Sequence, residues 1–136
     1  MEKPIYPFAA IVGQEEMKLS LILCAIYPRL SGVLIQGDKG TAKSTAVRGM
    51  AQIMPTISQV DDVYHLSADE QHIYGDPLGV PSCTNLQLRQ VPVVELPVGV
   101  TEDRVAGTLD VETALVRGQL RLQPGLLALA HRGICL

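Results

Sequence analysis

One stretch constrains this chain more than any other: Gly37-Asp38-Lys39-Gly40-Thr41-Ala42-Lys43-Ser44-Thr45. It follows an apolar run, Gly32-Val33-Leu34-Ile35, and leads into Ala46-Val47-Arg48-Gly49-Met50-Ala51-Gln52-Ile53-Met54. The order predicts strand, glycine-bearing loop and helix, the setting a phosphate-binding loop requires. Glycines let the backbone turn its N–H groups around a polyphosphate without Cβ atoms in the way. A helix starting near Lys43 aims its free amides and positive dipole end at the same anion. In that arrangement Lys43 neutralises the β/γ-phosphates and Ser44 joins the Mg²⁺ shell. Gly37, Asp38, Lys39, Gly40, Thr41, Ala42 and Thr45 complete the expected cradle. The competing reading, a glycine-rich turn before an ordinary helix, leaves Lys43-Ser44-Thr45 unexplained.

The strict pattern G-x-x-x-x-G-K-[ST] asks for glycine where this chain has Ala42. Alanine is accommodated there if the residue already has helical φ and ψ. A positive φ strains it.

The 136 residues have room for one domain and one core. A hydrophobic fraction of 47% and a charged fraction of 18% describe a globular chain. The net charge of −3 lacks the basic footprint of a nucleic-acid binder, and 4% aromatic residues offer little base stacking. No apolar run reaches membrane-spanning length, and Met1-Glu2-Lys3-Pro4 does not open like a signal peptide. Cys24, Cys83 and Cys135 are scattered and contain no C-x-x-C, so neither zinc nor a disulfide framework is indicated. Cys24 and Cys135 read as buried small hydrophobes in a reducing cytoplasm.

Along the chain, a mostly buried helix is expected from Glu15 to Ile26, with an acidic start and a stop at Tyr27-Pro28. The helix after the loop runs from Lys43 to Met54 and stops at Pro55. Ile57-Ser58-Gln59-Val60 reads as a short strand, and residues 74–81 as loop. The pairs Asp61-Asp62 and Asp69-Glu70 read as turn or cap residues, and His65 and His72 lack metal-ligand spacing. Val91 to Leu96 reads as a strand that Pro92 limits to an edge or to a strand start. Thr101 is placed as a helix cap before Glu102-Asp103-Arg104, a second helix entry falls at Asp110 with Gly118 as terminator, and Gln119 to Leu122 alternates like a hairpin strand. A short helix from Gly125 to Ala130 and a turn at Arg132-Gly133 lead to an apolar strand, Ile134-Cys135-Leu136. A P-loop ATPase needs a second strand bearing an acidic pair. Ile134-Cys135-Leu136 looks like the apolar half of that strand, so the chain is expected to be an N-terminal fragment, hydrolysing ATP poorly or not at all by itself.

Ile11-Val12-Gly13-Gln14, followed by a helix and then the loop, resembles the opening of AAA+ ATPase modules, where this segment lies beside the adenine. Ile11, Val12 and Gln14 are the candidate base-binding residues, the alternative being an apolar lead-in that staples a helix end. Residues 6–19, 37–48, 96–110 and 124–133 together resemble the I subunits of magnesium chelatase, the AAA+ ATPases that drive Mg²⁺ insertion into protoporphyrin IX. Leu96-Pro97-Val98-Gly99-Val100-Thr101-Glu102-Asp103-Arg104-Val105 is the most specific of these segments; the likeness is weakest from Thr56 to Gln90.

The resemblance implies an α/β AAA+ fold: a three-layer parallel sheet with helices on both faces, residues 1–136 forming the N-terminal part of one module without its lid. It implies an insertion at about 91–123, with the region from Thr101 to Asp110 as a coupling element. For Glu102-Asp103-Arg104 simple capping and a surface ion pair stand beside that role. It also implies ATP and Mg²⁺ as cofactors, with Lys43 catalytic and Ser44 on the metal, and assembly into a ring with a D subunit and a porphyrin-binding H subunit. The location is cytoplasmic, or the plastid stroma in a photosynthetic eukaryote. Two other functions fit the same residues: the ATPase of a cobalt chelatase or related AAA+ remodeller, and a truncated, non-hydrolysing nucleotide-binding module.

Overall fold

The computed structural model describes residues 4–61, 64–71, 85–111, 115–116, 118 and 122–136. The chain is an α/β protein that divides into two compact units, Met1–Pro55 and Thr56–Leu136.

The first unit holds α1 (Glu15–Ile26) and α2 (Lys43–Ile53), with short 3-10 turns at Phe8–Ala10 and Pro28–Leu30. Glu15 and Glu16 occupy the first turn of α1, where carboxylates meet the positive end of the helix dipole. In α2, Ala46, Val47, Met50 and Ala51 fall on one face and are buried, with Phe8, Ile11, Met17 and Leu21 supplying the rest of this core. The 3-10 turn at Phe8–Ala10 and α1 both pack against α2.

Gly49 explains how close that approach is. A Cβ built there meets Tyr6 O at 2.8 Å and Phe8 N at 3.0 Å. A glycine inside a helix costs stability on its own account, and here it lets a second backbone lie against α2.

Three expectations for this unit are corrected. Residues 32–35 form no strand, since no neighbouring segment among the described residues supplies a ladder. The helix α1 has the expected ends, yet only Met17 and Leu21 are buried; Leu19, Ile22, Leu23 and Ile26 are exposed because its packing falls on one side. Cys24 is half-buried rather than enclosed.

In the second unit, β1 (Ile57–Val60) pairs antiparallel with β2 (Leu86–Arg89), Ile57 opposite Arg89 and Val60 opposite Leu86. The strand β3 (Val93–Val94) pairs with β6 (Ile134–Cys135) in parallel, and Leu96 N and Leu136 N extend the ladder by donating to Leu136 O and Val94 O. Helix α3 (Glu102–Ala106) runs directly into β4 (Gly107–Leu109), which pairs antiparallel with β5 (Leu122–Pro124) ahead of α4 (Leu126–Leu129). Among the described residues each sheet has two strands.

Val60, Tyr64, Leu66 and Val91 are buried here, with Ala128 packed on Tyr64 and Leu66. Val60 N donates to Leu66 O at 2.8 Å, closing the turn after β1. Ser67 and Glu70 form a reciprocal cap on the helical residues 68–71: Ser67 N donates to Glu70 Oε2 at 2.8 Å and Glu70 N to Ser67 Oγ at 3.3 Å. The other carboxylate oxygen lies 3.0 Å from His131 Nε2. Burial acts to raise the Glu70 pKa, but the Ser67 amide, the Ser67 hydroxyl and His131 together outweigh it and hold the carboxyl below its ordinary value.

The strand expected from Val91 to Leu96 is assigned only at Val93–Val94, but the ladder bonds run from Pro92 O, which accepts from Ile134 N at 2.8 Å, to Leu96 N; Pro92 has no N–H of its own to donate. Thr101 sits at the cap of α3 without a side-chain bond; its carbonyl accepts from Arg104 N and Val105 N instead. Cys135 is exposed, not buried. Asp62, His72, Cys83, the loop at 74–81, the hairpin residues Gln119 to Arg121 and most of the second helix entry lie outside the described residues.

Candidate functional site: a loop at the start of α2

The residues from Gly37 to Thr45 close a loop onto the N-terminus of α2. Gly40 has φ +92°, a conformation that side-chain-bearing residues rarely adopt. The first backbone bond at this end of α2 runs from Ala46 N to Ala42 O at 2.8 Å. Among the described residues the amides from Gly40 to Thr45 donate to no backbone carbonyl. Those from Ala42 to Thr45 are the four orphan donors of a helix start, and with the dipole they favour an anion.

The Lys43 side chain folds back over the loop. Its Nζ donates to Gly37 O at 2.8 Å, Asp38 O at 2.6 Å and Thr41 Oγ1 at 2.9 Å. Thr41 Oγ1 in turn donates to Asp38 O at 2.9 Å. Ser44 is exposed beside these groups, and Asp38 and Lys39 are exposed at the loop tip. An ammonium over the loop, amides without carbonyl partners and an exposed hydroxyl fit a polyphosphate carrying a divalent cation.

Ala42, at the cap of α2, has φ +58° and ψ +21°. It therefore takes the strained, left-handed alternative rather than the helical one, at a cost of about 1–2 kcal/mol for an L-residue with a Cβ.

The candidate base-binding residues divide. Ile11 is buried, and its carbonyl accepts from Lys18 Nζ at 3.2 Å while Lys18 pairs with Glu15 at 2.7 Å. Val12 is 94% exposed. Gln14, at the cap of α1 with φ +57°, borders an open cleft of about 390 Å³ together with Glu15, Met17, Ser20, Leu34 and Gln36. Gln36 adjoins Gly37, so this cleft extends from Gln14 to the beginning of the loop. No hydrogen bond joins Ile11, Val12 or Gln14 to the loop itself.

Two contributors escaped the sequence reading. Gly49 was a visible irregularity inside a helical pattern, and its packing role could have been suspected. The Thr41 hydroxyl carried no signal beyond its place in the loop. Among the described residues no group of three potential metal ligands occurs.

Curated proteins similar to this chain include the magnesium-chelatase 38 kDa subunit of Chlorobaculum parvum, 49% identical over 134 residues, covering 94% of this chain and 39% of the relative. This chain is a relative of the magnesium-chelatase I subunits. The corresponding subunit of Rhodobacter capsulatus is 49% identical over 131 residues, with 96% of this chain and 37% of the relative covered. The chloroplastic subunit ChlI of Nicotiana tabacum is 45% identical over 138 residues, with 98% and 32% covered. The chain thus spans well under half the length of the I subunits it matches.

Among solved structures, a chain from the cryo-EM-based complex between subunits BchI and BchD of magnesium chelatase superposes with a TM-score of 0.79 at 43% identity, covering 98% of this chain and 41% of that one. No family model matches. Among the described residues, no helix is long and apolar enough to cross a membrane.

Proposed function

We propose that this chain forms the nucleotide-binding part of a magnesium-chelatase motor subunit, which couples ATP hydrolysis to Mg²⁺ insertion into protoporphyrin IX. The observation that carries the reading is the loop from Gly37 to Thr45, with amides at the start of α2 that donate to no backbone carbonyl and the Lys43 ammonium bonded to the loop carbonyls of Gly37 and Asp38. It occurs in a chain 45–49% identical to three named magnesium-chelatase I subunits.

In this reading the amides of Gly40 to Ser44 orient the phosphates, Lys43 offsets their charge, and Ser44 offers its hydroxyl to the accompanying Mg²⁺. The bound nucleotide supplies the phosphoanhydride whose cleavage does conformational work. Gln14 and Gln36, on the cleft that leads to the loop, are placed for the base or sugar. Residues 1–136 are then part of one AAA+ module, with the β3–β6 pair belonging to a larger parallel sheet. The coupling region from Thr101 to Asp110 includes α3 and β4. Partners are further copies in a ring, a D subunit, as in the BchI–BchD complex, and a porphyrin-holding H subunit. The magnesium-chelatase names of the relatives favour magnesium over cobalt.

Calorimetric titration with MgATP tests the reading. The full-length protein is expected to bind, and its Lys43→Ala variant to lose most of that affinity and to fail in Mg²⁺ insertion with D and H subunits supplied. Equal binding by both forms overturns it.

A further inference from the structure

The loop contains a hydroxyl whose role differs from that of the amides around it. We infer that the Thr41 side chain is a positioning residue, setting the place of the Lys43 ammonium before any anion arrives. The inference rests on the reading of this loop as a nucleotide site, and it concerns the side chain of Thr41, not its amide.

Proton accounting supports it. A lysine ammonium has three N–H donors and no acceptor. Here all three have partners: Gly37 O at 2.8 Å, Asp38 O at 2.6 Å and Thr41 Oγ1 at 2.9 Å. A threonine hydroxyl has one proton, and this one is directed to Asp38 O at 2.9 Å. Toward Lys43 the oxygen can therefore only accept, which is what an ammonium requires. Asp38 O receives both donors, filling the two lone pairs of a carbonyl.

Two of the three acceptors are main-chain atoms, present whatever the sequence. Thr41 alone is a choice of side chain. Ala42 makes the contact possible, since its left-handed turn lies between residues 41 and 43, whose side chains meet across it. Strained backbone persists where its surroundings over-determine it, and the bonds among Lys43, Thr41 and Asp38 do so here.

The test compares the full-length wild type with Thr41→Val, which keeps the shape without the hydroxyl, and Thr41→Ser, which keeps the hydroxyl. In MgATP titration Thr41→Val is expected to bind about fivefold to tenfold more weakly, the scale of one or two partly exposed hydrogen bonds, with Thr41→Ser within about twofold of wild type. A second readout needs no nucleotide: limited reaction with an amine-acylating reagent, read peptide by peptide. Lys43 should acylate at least about threefold faster in Thr41→Val than in wild type or Thr41→Ser, while Lys39 is unchanged and serves as the internal standard. If Thr41→Val does not fold, Thr41→Ala takes its place at this half-buried position. Unchanged Lys43 acylation in the hydroxyl-free variant, or a Thr41→Ser variant as altered as Thr41→Val, overturns the inference. Wild type that fails to bind MgATP, with the acylation difference intact, overturns the nucleotide reading and leaves the positioning role standing.

Discussion

Gly49 lies against Phe8 so closely that a Cβ on Gly49 would come within 3.0 Å of the Phe8 amide nitrogen. The segment ahead of α1 is thereby fixed to α2, the helix that follows the loop from Gly37 to Ala42. The contact sets two effects in opposition. In an isolated helix Gly→Ala stabilises by about 1 kcal/mol. At this site the added methyl also meets Tyr6 O at 2.8 Å, and backbone cannot yield as a flexible side chain does. Overpacking of this kind costs about 1–3 kcal/mol. Gly49→Ala is therefore expected to destabilise the protein in urea denaturation; a gain in stability shows that Tyr6 and Phe8 do not pack there.

Ala42 calls for the opposite substitution. With φ +58° it occupies a region that glycine enters freely. Ala42→Gly is expected to raise stability by about 1 kcal/mol, after the greater unfolded-state freedom of glycine is set against the strain relieved. Ala42→Val should lose stability, since a β-branched residue tolerates positive φ least. Melting temperatures of the two variants moving in the same direction refute this assignment.

Glu70 predicts an acid-side effect. Its carboxyl is held below its ordinary pKa: burial raises it, and the Ser67 amide, the Ser67 hydroxyl and His131 more than compensate. A carboxyl depressed on folding contributes stability that is fully present above its unfolded pKa and is lost as pH falls through the folded value. Glu70→Gln should therefore cost about 1 kcal/mol at neutral pH, the scale of a lost cap, and flatten the acid limb of the stability–pH curve. Parallel curves for wild type and variant count against the cap and its His131 contact.

The ion pair between Arg89 and Asp61 is a contrasting case. Its atoms are 2.7 Å apart, yet the side chains are 43% and 54% exposed. Exposed pairs of this type contribute about 0–1 kcal/mol. Arg89→Ala is expected to change stability by less than about 0.5 kcal/mol, checked by denaturation at low and high salt. A larger loss means that Arg89 does more than pair with a surface carboxylate.

Much of the local structure was legible. The bounds of α1 from Glu15 to Ile26 and of β1 from Ile57 to Val60 agree residue for residue, and α2 begins at Lys43 as read. These ends are written in acidic first turns, prolines and the loop motif, all local signals. What escaped depends on neighbours remote in sequence. Residues 32–35 have the composition of a strand, but a strand is defined by its partner. Cys135 sits in an apolar run and is still exposed, because being in β6 does not determine what covers its side chain. The loop was readable as a motif, but not the left-handed Ala42 or the bonds of the Thr41 hydroxyl. Those depend on how one turn directs groups already known to be present.

The parallel pairing of β3 with β6 bears on how the molecule is made. Val93 leaves the ribosome well before Ile134, its partner, so the β3–β6 pairing must wait while the residues between them are synthesised. The loop from Gly37 to Thr45 and α2 belong to an earlier unit, and the partners of α2, the turn at Phe8 and α1, precede it in the chain. Translation thus delivers the loop at the start of α2 with its packing partners already in hand, and the β3–β6 ladder only once Ile134 and Cys135 have been made.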